Sequence, residues 1–283
     1  PMISRLAAMA YWSPMTAPIM TSDAMIGCWR KMPANDMPTI APITVGLMML
    51  LIWFLAVDVF AVAPRALPSP VAVVSELVLR SDIILEDMGV TATNALIGLA
   101  IGSIAAIALA ALASNLRPID GMLAPLVAAL AVVPIVALTP ILNTMFGASS
   151  QFGRQTVAAI AAFVPVFVNV LRGLRQTRPV HRDVLRASAA TGLQTFRLLT
   201  MPTALPYLMT GLRIASSLAV IAALVAEYFG GPADGIGTAI ATYAKSGRAA
   251  LAFAYVAGAI AIGLALFLVT SLLERAVTRR TPV

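Results

Sequence analysis

The three longest stretches of this chain without Asp, Glu, Lys or Arg are residues 88–116, 121–153 and 249–273. A helix of roughly 20 apolar residues crosses a hydrocarbon core of about 30 Å, so each stretch is long enough to span a bilayer. A water-soluble domain would have to bury several such helices on every side. Composition points the same way, with 60% hydrophobic and 11% charged residues and a mean hydropathy of +0.93, far from the soluble average. The chain reads as an all-α polytopic membrane protein.

The net charge of +7 raises nucleic acid as a partner. Its basic residues, however, sit at the ends of apolar segments, as orientation signals do. No aromatic–basic interleaving accompanies them, so a lipid membrane and not nucleic acid is the expected surroundings. Cys28 is the single cysteine, which excludes an internal disulfide and a cysteine metal cluster. His181 is the single histidine and has no partners of ligand type nearby in sequence.

Residues 1–40 differ from the rest. The chain starts on Pro1, and Met2, Met9, Met15, Met20, Met25, Met32 and Met37 crowd this segment, half of the fourteen methionines. It lacks the apolar core of a signal peptide and cannot bury a core of its own. We expect an atypical, disordered or miscalled leader over 1–40 and a membrane domain over 41–283.

Six spans are expected, near 43–63, 90–113, 122–146, 156–171, 207–229 and 250–273. Between the first two, Ser69 suits a helix cap with Pro70 at the first position. Val71, Val74, Leu77 and Val78 then share one apolar face of an interfacial helix. Gly98, Gly102, Ala105 and Ala106 let the second span approach its neighbours closely. A short turn is expected over 115–121. Pro125, Pro134 and Pro140 in the third span and Pro165 in the fourth predict kinks, and Met122 and Met145 read as core packing. With both termini inside, fourteen Lys and Arg residues face the cytoplasm against five outside, which fixes the orientation by the positive-inside rule.

The longest polar interruption, about 172–206, is then cytoplasmic. Seven of the nineteen Lys/Arg residues fall between Arg172 and Arg213, with Asp183 the one acid among them. Pro179 suits a helix start and Gly192 its end. Arg178, Arg182 and Arg186 recur every four residues and share an edge, while Val180, Val184, Ala187 and Thr191 fall on another face. A second amphipathic piece, 194–201, leads to Pro202 and Pro206. A short helix of this kind, with small residues at its end, suits a groove on a partner.

The segments RASAATG and MPTALP, followed by YLMTGLRIASSLAVIAALVAEYFG, resemble the permease subunits of bacterial binding-protein-dependent ABC importers. The sulfonate/taurine/nitrate branch is the most similar; it also holds pyrimidine and riboflavin-type importers, and LPSP at 67–70 fits it. The resemblance covers about 43–277. It implies a family pattern of Glu-Ala-Ala, three residues, Gly, then a Leu-Pro ending, whose short helix docks on the ATPase. Ala187 and Gly192 match, Ser188 replaces the second Ala, Ala190 lies between, and Leu205 and Pro206 supply the ending. Arg182 and Arg186 flank the motif, Arg186 standing where the family favours Glu. The stretch from Gly192 to Pro202 is shorter than the family spacing. By the same resemblance, the partners are an ABC ATPase subunit, an extracytoplasmic solute-binding protein and a second permease copy, as a homodimer. The solute would be a small anionic or heteroaromatic nutrient.

No P-loop sequence occurs, so ATP must be bound by a partner chain and no cofactor is expected here. No zinc-protease or nucleophile-elbow motif is present, and no catalytic residue is expected. The span centres carry no charge, with Asp58 and Glu227 toward the outer ends, which disfavours a proton-coupled carrier. A secondary transporter or channel without an ATPase stays open, as does a membrane scaffold or non-functional remnant. Asn94, Asn143 and Asn169 are read either as lining a solute path or as interhelical glue. Glu227, in VAEYFGGP, is read either as a contact to the binding protein or gate, or as an interfacial carboxylate that ends span five.

Overall fold

The computed structural model describes residues 40–58, 63, 67–147 and 149–279. The expected leader, but for Ile40, lies outside them. Two units divide the chain, Pro1–Ile52 and Trp53–Val283. Within the first, the side chains described, from Thr44 to Ile52, are all exposed.

The described elements are helical: α1 Ile40–Asp58, α2 Pro70–Leu79, α3 Ser81–Asn115, α4 Arg117–Val132, α5 Ile135–Phe146, α6 Phe152–Arg175, α7 Pro179–Ala187, α8 Gly192–Tyr228, α9 Ile236–Lys245 and α10 Ala249–Thr278. Four of them, α3, α6, α8 and α10, are long and apolar enough to cross a membrane. The pair α4 and α5 makes a fifth if it is one broken span, since its axes turn through 104°. The expected third span, with its predicted proline kinks, is two helices. Pro134 stands at the corner in extended backbone, where it has no N–H to give to a continuing helix. The expected turn over 115–121 shrinks to Leu116, the extended residue between α3 and α4.

The core lies where α6 is flanked by α3 on one side and α8 on the other, with α10 against α8. Small residues set these distances, as the glycines and alanines of span two predicted. A methyl group on Gly98 would collide with the Ala158 side chain, and one on Gly102 with the Ala159 carbonyl oxygen. Gly211 brings α8 to the Asn169 side chain and Val166 backbone of α6. Alanines at 95, 106, 158, 162, 215, 219 and 223 fill the seams with no more than a trace of exposure.

The outward surface is apolar, as a lipid-facing surface must be. Ser69 caps α2 as expected, accepting from Ala72 N at 3.2 Å. Val71, Val74 and Val78 of its apolar face are exposed, where lipid can cover them, while Leu77 packs against the core and Val73 is buried. Met122 and Met145 are likewise exposed and not core residues. With lipid as solvent there is no penalty for an apolar side chain outside, so apolarity does not tell inside from outside.

Candidate functional site: a bare helix and a braced node

The basic segment forms α7, whose nine residues bury no side chain. Val180 and Val184 lie on it exposed, with Arg182 donating to the Thr177 hydroxyl at 2.9 Å and Arg186 3.3 Å from Asp183. The helix ends earlier than the glycine suggested. Ala187 is its last residue and Ser188 its cap, the Ser188 hydroxyl donating to Val184 O at 3.0 Å. Ala189 then takes a left-handed φ of 54°. Its N–H donates to Arg186 O and that of Ala190 to Leu185 O, both at 3.0 Å. That bond pair is a Schellman ending with alanine at the position usually given to glycine.

Gly192 opens the next helix. Thr191 accepts from Gln194 N at 3.3 Å, and the Gln194 side chain accepts from Thr191 N at 2.7 Å, a complete capping box. The sequence T-x-x-Q carried that signal, which a reading of Gly192 as a stop overlooked. From here α8 runs unbroken for 37 residues, through a π turn at Phe196–Thr200. Pro202 and Pro206, expected in a connecting loop, are inside this helix. π turns absorb a register change within a continuous helix and recur at functional sites.

Of the residues singled out by resemblance, Arg182, Arg186, Ala190 and Gly192 come together around a cavity of about 410 Å³ against Ser114 and Asn115 at the end of α3. Ala187 and Ser188 close the helix beside it. Leu205 and Pro206 lie more than three turns into α8, and Pro206 lines a different cavity.

About 50 Å from Gly192 along the rod, at 1.5 Å per residue, Glu227 anchors a buried polar node. It is 1% exposed, which leaves no surface for a partner to touch. Its Oε2 accepts from the Thr91 hydroxyl at 2.8 Å and from Gly237 N at 3.0 Å, and Asn94 approaches Oε1 at 3.5 Å. Gly235 N donates to Asp87 at 2.9 Å and Ile236 N to Thr91 at 3.0 Å. Helix α9 has no side-chain cap of its own. Its first amides are satisfied instead by groups on α3 and α8, which meets the need of every helix start for acceptors. Gly235 makes room for this, with φ of 84° and a would-be Cβ 2.7 Å from the Glu227 carboxyl carbon.

Arg154 is the second anchor and is fully buried. It bonds Asp234 Oδ1 at 2.8 Å, Gln151 at 3.1 Å, the Pro232 carbonyl at 2.6 Å and Thr238 at 3.1 Å. A buried cation needs such a set of partners to offset its lost hydration. Arg154 is one of the five basic residues that the charge count puts outside, and its partner Asp234 stands 80 residues away in the sequence GGPADGIG. Asn94 binds Gln151 and Gln155 across helices. Asn169 donates to Pro165 O of its own helix at 2.8 Å, and Asn143 is buried against Gly153 and Gly230.

This bundle of apolar spans with a bare basic helix between two of them matches a known pattern. The model of the family described as binding-protein-dependent transport system inner membrane component covers residues 98–282. The chain belongs to that family. It is 32% identical over 185 residues to the formylaminopyrimidine transport permease protein ThiX of Halalkalibacterium halodurans, covering 65% of this chain and 73% of that one. It is 28% identical to a probable ABC transporter permease protein of Haemophilus influenzae, covering 69% and 79%. Identity is 26% to the putative aliphatic sulfonates transport permease protein SsuC of Bacillus subtilis, over 66% of this chain and 67% of the relative. In fold, the permease is similar to a crystal structure of an amino acid ABC transporter with histidines, with TM-score 0.57 and 17% identity over 72% of this chain and 96% of the other. It is a multi-pass inner-membrane permease subunit of a binding-protein-dependent ABC importer, as the resemblance implied, and the secondary carrier or channel is not favoured.

Proposed function

We propose that the permease works as one of two identical copies, with six spans and both termini in the cytoplasm. Helix α1 and the bent pair α4–α5 complete the six. A partner ATPase grips the segment 177–202, above all Arg182, Arg186, Ala187, Ser188, Ala190 and Gly192, and an extracytoplasmic binding protein delivers solute at the opposite end. Catalysis and ATP binding belong to the partner. Asn143, Asn169 and Glu227 belong to the moving part of the pathway or its gate. The solute is a small anionic or heteroaromatic nutrient, by analogy with relatives named for formylaminopyrimidine, aliphatic sulfonates, bicarbonate and nitrate.

The observation that carries this reading is the continuity of α8. One helix joins the capping box at Thr191 to the Glu227 node. A push on α7 at one end is thus delivered along a single rod to the hydrogen bonds that position α9 at the other. ATP drives the change only through its different affinity for the two states of the ATPase.

The test is ATP hydrolysis in proteoliposomes holding the permease, its ATPase and its binding protein, comparing the parent chain with Gly192→Asp. The Gly192 Cβ position is open, with nothing within 4 Å, and an acid suits a helix's first turn. Folding is therefore preserved. Loss of solute-stimulated hydrolysis with normal insertion supports the reading; full stimulation, or transport by the permease without an ATPase, refutes it.

A further inference from the structure

A cavity of about 690 Å³ opens at the root of α7 between that helix, the first turns of α8 past its π turn, and Thr278 at the end of α10. No acidic residue lines it. Four of its side chains, Gln176, Arg178, His181 and Tyr207, make no hydrogen bond or ion pair with the protein among the described residues. All four can donate a hydrogen bond, and one is permanently cationic. Arg178 and His181 stand three residues apart at the start of α7, which brings them to one side of the helix. Glu274, which touches the lining residue Thr210, is already engaged: it accepts from Thr210 at 2.6 Å and pairs with Arg213 at 3.1 Å.

The start of α7 adds to this. Arg178 is the N-cap residue and no side chain caps the helix, so its first amides and the positive end of its dipole are left for a ligand or water. Arg182, one turn on, occupies the Thr177 hydroxyl and leaves Arg178 as the uncommitted guanidinium. Gln176, Arg178 and His181 are exposed and Tyr207 half-buried, so donors from α7 and α8, a cation, no carboxylate among the lining residues and room for a hydrated ion are open to an anion from solution.

We propose that this cavity is a binding site for a free tetrahedral oxyanion from solution, of the phosphate or sulfate class, held by Arg178 with His181, Gln176 and Tyr207. An anion there ties α7 to α8. It holds together the two elements that the proposed ATPase must move, so occupancy slows coupled hydrolysis. That consequence rests on the importer reading, whereas the binding itself does not.

The single histidine provides the test. Full-length permease labelled at histidine and purified in uncharged detergent gives one imidazole signal in NMR, recorded while inorganic phosphate or sulfate is added at constant ionic strength. The expected result is a saturable shift with phosphate and sulfate and none with chloride. Arg178→Gln should weaken phosphate affinity about tenfold or more, the loss of one charge-assisted hydrogen bond. Tyr207→Phe should weaken it less. Both positions lie outside the packed core, and gel filtration confirms folded protein before titration. A shift that does not saturate, an equal shift with chloride, or unchanged affinity in Arg178→Gln overturns the proposal. So does a response confined to added phosphatidylglycerol, which would assign the cavity to a lipid headgroup. If binding is found but phosphate leaves ATP hydrolysis unaltered in the assembled importer, the site stands and the coupling consequence falls.

Discussion

Arg154 is fully shielded while its ion-pair partner Asp234, 2.8 Å away, is 42% exposed. The pair therefore reaches from the packed start of α6 to the surface loop that precedes α9. Removing the partner leaves a buried cation without its counter-charge, held by Gln151, the Pro232 carbonyl and Thr238, whereas removing both members does not. Asp234→Ala should cost roughly 2 to 3 kcal/mol, below the ceiling for a fully buried pair because Asp234 keeps contact with water. Arg154→Met combined with Asp234→Ala should recover much of that loss. Thermal unfolding of the four variants in a double-mutant cycle measures it; strict additivity would show that the pair is not coupled.

Glu227 carries two donors on one oxygen, Thr91 and Gly237. Glu227→Ala leaves the α9 amide and the Thr91 hydroxyl unpaired, at a cost of about 1–3 kcal/mol per stranded group. Glu227→Gln keeps one oxygen acceptor and should cost less. Amide hydrogen exchange at 235–238 gives the local readout. The order Ala, then Gln, then parent in exchange rate is expected, and equal rates would remove the cap from the account.

Two glycines of α3 separate packing from propensity. Gly102→Val pushes a side chain into the Ala159 carbonyl oxygen, while Gly89 has nothing within 4 Å of its would-be Cβ. Overpacking of the first kind costs about 1–3 kcal/mol. Gly89→Ala removes a helix penalty of about 0.5–1 kcal/mol and should be neutral or stabilising. Opposite shifts in the unfolding midpoint are the expected outcome.

Ala189 holds a left-handed φ without being glycine. Ala189→Gly relieves that strain and should slow amide exchange at the end of α7 by an amount equivalent to about 1 kcal/mol. Thr191→Ala removes the capping box and should loosen the first turn of α8 by about 1 kcal/mol. Both changes leave the partner-facing side chains in place, so ATPase stimulation in the assembled importer separates order in the loop from contact chemistry.

The membrane character, the apolar stretches that became α3, α6, α8 and α10, the Ser69 cap and the helix beginning at Pro179 were all legible in the sequence. They depend on charge-free length, a capping residue and proline, which act within one turn or one span. The tight seam at Gly98 and Gly102 was legible for a related reason: small residues in a span have little other use than close approach. The family was legible too, because α7 and its flanks form a contiguous motif. The capping box at Thr191 was present as T-x-x-Q, but a glycine read as a stop hid it.

The tertiary structure alone decided the rest. It fused the expected loop ending and span five into one 37-residue rod and turned Met122 and Met145, expected in the core, outward. It paired Arg154 with Asp234 across 80 residues and set Glu227 at the start of α9. Hydropathy has no sign for these outcomes, since lipid and protein interior are nearly alike to an apolar side chain. A lone charge declares its partner only when the folded chain brings the two within hydrogen-bonding distance.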